Sequence, residues 1–224
     1  MPVYNAPLLA IDNQETKRYA GLMKARDFSG DKIAAACDNA RLLAQPRGIW
    51  EIYDYDCQEQ IIKSQPSCKL QGQKISGHLA GCEKVIVLAA TVGEAIEEDI
   101  TARFADGEYT MALLMDAAAT TAVEQLADGM EKALTPKMGA QGFLLKWRFS
   151  PGYGDWPIEQ QPELLRLANA EKIGISLTSS LMLMPRKSIT AIIGLYRKQE
   201  NTRPGHKPES CALCSQVNCP SRKP

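Results

Sequence analysis

The chain has no excess of charge of either sign: 26 Lys and Arg stand against 26 Asp and Glu in 224 residues. Nucleic-acid binders carry a basic surplus to neutralise phosphates, so no nucleic-acid partner is expected. Long hydrophobic runs are also lacking. The longest, Val85 to Gly93, falls well short of the ~20 residues a helix needs to cross a bilayer, which argues against a membrane partner. Met1-Pro2-Val3-Tyr4-Asn5 lacks the basic start of a secretory signal. No Gly-x-Gly-x-x-Gly follows a first strand, and strands and helices do not alternate in a regular βαβ rhythm, so a Rossmann-type site is not expected. There is no internal repeat. Cysteine is present, but seven residues, an odd number in a chain this long, do not make a disulfide scaffold, and a reducing cytoplasm is the expected compartment.

What remains is ordinary globular material, 45 % hydrophobic and 23 % charged, enough for one substantial domain. Residues 1–13 read as an extended lead-in, and Asn13–Ala20 as a short helix. Asp31–Ala44 places Ile33, Ala34, Cys37, Ala40, Leu42 and Leu43 at near-helical spacing, with Pro46 just past the end. Gly48–Tyr55 mixes β-branched, aromatic and acidic residues as a half-buried strand does, and Val85–Ala90 reads as a buried strand. Gly93 opens an acidic helix whose Glu94, Glu97, Glu98 and Asp99 are expected on a solvated face. A long Ala-, Leu- and Met-rich helix runs from Thr110 to Leu134, with Pro136 and Gly139 expected to stop it. Gly142–Trp147 predicts a strand, and Pro162–Ala170 a helix. Leu181–Met184 and Ile189–Tyr196 predict paired strands, with Met184–Ser188 either their hairpin connection or, less simply, a segment that meets a ligand directly. These elements predict an α+β domain, residues 1–198, with a largely antiparallel sheet flanked by helices. After Lys198 the composition turns to proline, basic residues and cysteine, so residues 199–224 read as a Cys-rich C-terminal tail.

The densest chemistry lies in Arg148-Phe149-Ser150-Pro151-Gly152-Tyr153-Gly154-Asp155. A strand that delivers Arg148 to a Pro-Gly turn sets a guanidinium beside accessible backbone. Arginine binds carboxylate in a two-pronged fork, and glycine lets a ligand approach the main chain, so the segment suits a small zwitterionic or anionic ligand. The same residues also fit a surface turn whose arginine forms an ordinary salt bridge. Glu124, mid-helix among apolar neighbours, is either an exposed helix glutamate or a carboxylate that needs a partner.

Arg-x-x-Pro-Gly-Tyr at 148–153, followed by Met184-Pro185-Arg186-Lys187-Ser188-Ile189-Thr190, resembles the activation domain of cobalamin-dependent methionine synthase. The likeness runs from about Thr110 to Leu195 and takes in the helix around Ala122-Val123-Glu124-Gln125-Leu126-Ala127. Before it, only Ile11-Asp12 and the run Val85–Val92 ending at Gly93 are points of likeness. The resemblance implies an S-adenosylmethionine (AdoMet) site formed by Glu124, Arg148, Ser150, Gly152 and Tyr153. Arg148 would meet the methionyl carboxylate, and Glu124 the ammonium or the ribose hydroxyls. Gly152 would allow close backbone approach, Ser150 would act through its main chain, and Tyr153 would pack on the ligand or cap the turn. The family's acidic contact near its N-terminus and its late tyrosine have no matching position here, although Tyr196 is late enough to consider. The resemblance further implies a reactivation module for a corrinoid methyltransferase, methionine synthase foremost. In that system one electron from a reductase and a methyl group from AdoMet regenerate methylcobalamin, and the cobalamin sits on a partner, the corrinoid-binding methyltransferase subunit.

Two other readings rest on different residues. The tail places Cys211, Cys214 and Cys219 at Cys-x2-Cys-x4-Cys spacing, with His206 five residues ahead. Three thiolates can close three sides of a tetrahedron around zinc or ligate an iron–sulfur cluster, which would make the chain a metal-dependent corrinoid activase. The tail thiols could equally be reactive, or the tail merely an appendage. The remaining reading is a non-catalytic AdoMet-responsive binding module.

Overall fold

The centre of the molecule is β4 (Lys84–Thr91), in which every residue from Val85 to Thr91 is buried. Its sequence is a continuous apolar run rather than an alternating one because helices cover both faces of the sheet. The computed structural model describes residues 3–25 and 28–197. The helices comprise α1 (Asn13–Tyr19), α2 (Gly30–Leu43), α3 (Gln73–His78), α4 (Ala95–Ala105), α5 (Tyr109–Gly139) and α6 (Gln161–Ala168). The strands comprise β1 (Arg47–Asp56), β2 (Ile61–Ile62), β3 (Cys68–Lys69), β4, β5 (Phe143–Leu145), β6 (Ser176–Leu177), β7 (Leu183–Met184) and β8 (Ser188–Arg197).

Six strands form one antiparallel sheet in the order β3-β2-β1-β4-β8-β5, and β6 pairs with β7 apart from it. Alternation along the central strands sends Ile86, Leu88, Ala90, Ala191, Ile193 and Leu195 to a core shared with α2, α4 and α5. Val85, Val87, Ala89 and Ile192 face the opposite core with Leu164, Leu167 and Trp156. The predicted α+β architecture, with a largely antiparallel sheet flanked by helices, is the one observed.

Three expectations are corrected. β7 does not pair with β8: Leu183–Met184 pairs with Ser176–Leu177, while β8 lies between β4 and β5. Met184–Ser188 is therefore a crossing between two sheets and not a hairpin turn. Pro136 lies inside α5 and does not stop it. The helix runs on to Gly139, although the proline has no N–H to offer the carbonyl four residues earlier. Glu97 is not on a solvated face. It is 7 % exposed and accepts hydrogen bonds from the backbone N–H of Lys187 (2.8 Å) and from Arg186 Nε (3.2 Å), so it holds the crossing against α4.

The edge strand also departs from its expected length, since Gly142–Trp147 forms ladder pairs only over Phe143–Leu145. Leu145 lies opposite Leu195 and Phe149 opposite Ile192, so four steps on one strand answer three on the other. This extra residue is a β-bulge, and it changes which face the following side chains meet. Phe143 and Leu145 pack in the core beneath α5, whereas Phe149 packs in the opposite core.

Candidate functional site

The bulge aims Arg148 at α5. Its Nη1 donates to Asp128 Oδ1 and Glu131 Oε1, each at 2.6 Å, and its Nη2 donates to Glu124 Oε2 at 2.7 Å. Glu124, Asp128 and Glu131 fall at i, i+4 and i+7 and so share one face of the helix. The arginine side chain is 12 % exposed, against 38 % for Glu124, 49 % for Asp128 and 22 % for Glu131. Burial works against the guanidinium charge, but attraction to Glu131 and Asp128 and the hydrogen bonds it donates to Asp128 and Glu124 outweigh it, so its pKa lies above the ordinary arginine value. Three carboxylates around one guanidinium leave two negative charges in excess.

The structure thus brings Arg148 and Glu124 together across 24 positions of sequence. It also presents the salt-bridged arginine that the turn alone left open. Asp128 and Glu131 were missed by sequence reasoning, although their spacing from Glu124 was a usable signal. Tyr19, at the end of α1, lies close enough to be influenced by Glu124. Burial first, and that carboxylate second, push its phenol above the ordinary value.

The turn that follows is firmly held. Gly152, at φ +85, adopts a conformation that favours glycine, and its N–H donates to the Trp156 carbonyl at 2.9 Å. That amide is therefore engaged within the turn. Ser150 is half-buried, and its carbonyl accepts from the Tyr153 N–H at 3.3 Å. The Asp155 carboxylate accepts from the N–H groups of Gln73 (2.8 Å) and Lys74 (3.0 Å), capping α3 across the chain. The hydrogen bond from Lys74 leads the effects that hold its pKa below the ordinary carboxylate value. Trp156 is buried, and its Nε1 donates to Gln160 Oε1 at 2.7 Å. Asp155 and Trp156 thus anchor the turn, while Tyr153 stands 67 % exposed at its tip.

On the other side of the bulge, Trp147, Phe149 and His78 line a cleft of about 380 Å³ together with Lys74, Lys146 and Tyr196. The His78 and Trp147 ring centroids are 4.6 Å apart. His78 Nε2 lies 2.8 Å from the Trp147 carbonyl, which can only accept, so this nitrogen carries the proton. Burial pushes the His78 pKa down, against the opposing effect of that hydrogen bond. Tyr196 faces this cleft, while Arg148 turns toward α5.

Near the N-terminus, Asp12 is the N-cap of α1, with Oδ1 accepting from Gln14 N (2.7 Å) and Glu15 N (3.0 Å). Its own N–H donates to Gln125 Oε1, on the residue next to Glu124. Cys211, Cys214, Cys219 and His206 lie outside the described residues. Among the described residues no His, Cys, Asp and Glu cluster has the arrangement of a metal site, and no helix is long and apolar enough to cross a membrane.

No family model matches the chain, and no curated protein matches it. Among solved structures it is similar to the crystal structure of the MetH reactivation domain bound to AdoHcy, with a TM-score of 0.54 at 12 % identity over 92 % of this chain and 82 % of that one. At that identity the likeness speaks to the fold. The resemblance first drawn from the Arg148–Tyr153 turn is thus matched by a backbone likeness over nearly the whole chain, which has the fold of the MetH reactivation domain.

Proposed function

We propose that this chain is an AdoMet-binding reactivation module that supports reductive methylation of cobalamin carried by a corrinoid methyltransferase, methionine synthase being the first candidate. The observation that carries the reading is the pairing of Glu124 with Arg148 at 2.7 Å, with Arg148 five residues before the exposed Tyr153, within the fold of a domain solved with AdoHcy bound.

The residues fit the ligand, though by a different division of labour from the one the turn suggests. AdoMet carries a sulfonium and an ammonium against one carboxylate, so it is a net cation. The excess negative charge on Glu124, Asp128 and Glu131 suits such a cation, and Arg148 gathers these carboxylates that would otherwise repel one another. Arg148 commits three of its five N–H donors to these carboxylates, which leaves Nε–H and one Nη2–H for the ligand carboxylate. Tyr153 supplies an exposed ring for the adenine or the sulfonium. When bound, AdoMet supplies an electrophilic methyl group. The contribution of the chain is to hold that donor against the partner's corrinoid and to exclude water, so orientation is its main effect on the rate.

The electron would come from a reductase, and the partner would be the corrinoid-binding methyltransferase subunit. The test is methyl transfer from labelled AdoMet to a cob(II)alamin-bearing methyltransferase under reducing conditions, with and without this chain. The expected result is methylcobalamin only when the chain is present. Binding of AdoMet with no methyl transfer to any corrinoid partner would leave an AdoMet-responsive binding module in its place.

A further inference from the structure

Away from Arg148, a second cleft of about 460 Å³ opens where β1 begins, between the N-terminal segment and the 3-10 turn Ala170–Ile173. Backbone pairing fixes its surroundings. Tyr4 and Gly48 exchange hydrogen bonds of 2.7 and 2.8 Å, and the Gln45 N–H donates to the Val92 carbonyl at 2.8 Å. The lining includes two cations, Arg47 and Lys172, and two side-chain amides, Asn5 and Gln45, and among the described residues no carboxylate. An oxyanion would meet favourable charge and donors there.

A second, independent observation points the same way. Arg47 Nε is buried and has no hydrogen-bond acceptor among the described residues. Buried donors in folded proteins are nearly always paired, so an orphan Nε on an arginine that lines the cleft marks a missing acceptor. Glu51, which alternation places on the same face of β1 as Arg47, does not fill that role: among the described residues its Oε1 is likewise buried without a partner. Gly174, at φ +79, brings the backbone close: a Cβ there would lie 3.7 Å from Arg47 Nη1. The guanidinium is thus confined near the cleft.

We propose that this cleft binds the oxyanion of a small ligand, a carboxylate or a phosphate, through Arg47 and Lys172. The site is separate from the carboxylate cluster at Arg148 and does not depend on the AdoMet reading. The test is an NMR titration of the full chain, observing the Arg47 Nε–H signal and backbone amides, with inorganic phosphate in one arm and acetate in the other at constant ionic strength. The expected result is saturable shifts at Arg47, Gln45 and Ile173 with at least one anion, and the anion that saturates identifies the source. Binding should weaken at least about tenfold in Lys172→Gln and be lost in Arg47→Gln. Lys172 is exposed, so its replacement leaves the fold intact and keeps the test decisive even if Arg47→Gln fails to fold. Shifts that grow linearly with both anions, or saturation in Lys172→Gln equal to wild type, would overturn the proposal.

Discussion

At Arg148 burial and attraction oppose each other, and attraction wins, because three carboxylates surround a side chain that is only 12 % exposed. Arg148→Ala removes the cation and leaves Glu124, Asp128 and Glu131 to repel one another. Breaking a fully buried pair costs about 3–5 kcal/mol, but Glu124 and Asp128 are partly in water, so the expected loss is roughly 1–3 kcal/mol. Chemical denaturation should show this as a lower midpoint at unchanged slope. His78 gives a prediction of opposite origin. Its pKa is lowered in the fold, so the unfolded chain binds more protons as pH falls through about 6.5, the ordinary value. The stability associated with neutral His78 is therefore complete above that pH and lost below it. Melting temperature should fall as pH drops from about 7 to 5, with a shallower fall in His78→Gln; equal slopes would remove His78 as the source. The pairing of Arg148 with Glu124 was partly legible, because the turn singled out the arginine and the family likeness the glutamate. Asp128 and Glu131 were not read because acids on a long helix ordinarily face water, and nothing local marks those a distant arginine will claim.

Among the elements, α5 and the edge of the sheet carry the candidate site. The small residues Ala117, Ala118, Ala119 and Ala122 on α5 are buried, which lets α1 and α2 pack closely against it and sets the carboxylate row along a rigid rod. Opposite the bulge, Gly194 gives a sharp test of the packing around β5. A Cβ there would lie 2.5 Å from Cys82 Sγ and 2.9 Å from Leu79 Cδ2, so Gly194→Ala should destabilise the protein by about 1–3 kcal/mol. Thermal melting would check this, and an unchanged midpoint would mean that Cys82 and Leu79 yield without cost. Long periodic elements were legible in the sequence: α2, β1, β4 and α5 lie close to where spacing put them. The pairing of β7 was not, because two short apolar runs joined by a Pro-containing turn look like a hairpin whichever partners they take. The role of Glu97 was hidden for a similar reason, since its partners at Arg186 and Lys187 come from a distant crossing.

Over the described residues, the two cores run as far as Leu195 and Tyr196. Leu195 is fully buried, and β8 closes at Arg197. Deleting residues 201–224 should therefore leave a cooperative thermal transition and AdoMet binding in place. Loss of the transition would make Cys211, Cys214 and Cys219 part of what holds the fold, and a structural metal site would become the preferred reading of them. The class of fold was legible because a central strand with an unbroken apolar run from Val85 to Ala90, flanked by amphipathic helices and without a βαβ rhythm, leaves few architectures. The central claim, that the carboxylates gathered by Arg148 form an AdoMet site, is tested most directly by calorimetric titration of AdoMet into the protein without corrinoid. The account predicts saturable binding by the wild type and affinity lowered at least about tenfold, roughly 1.4 kcal/mol, in folded Glu124→Gln and in folded Arg148→Ala. No binding by the wild type, or equal affinity in both folded variants, would contradict it.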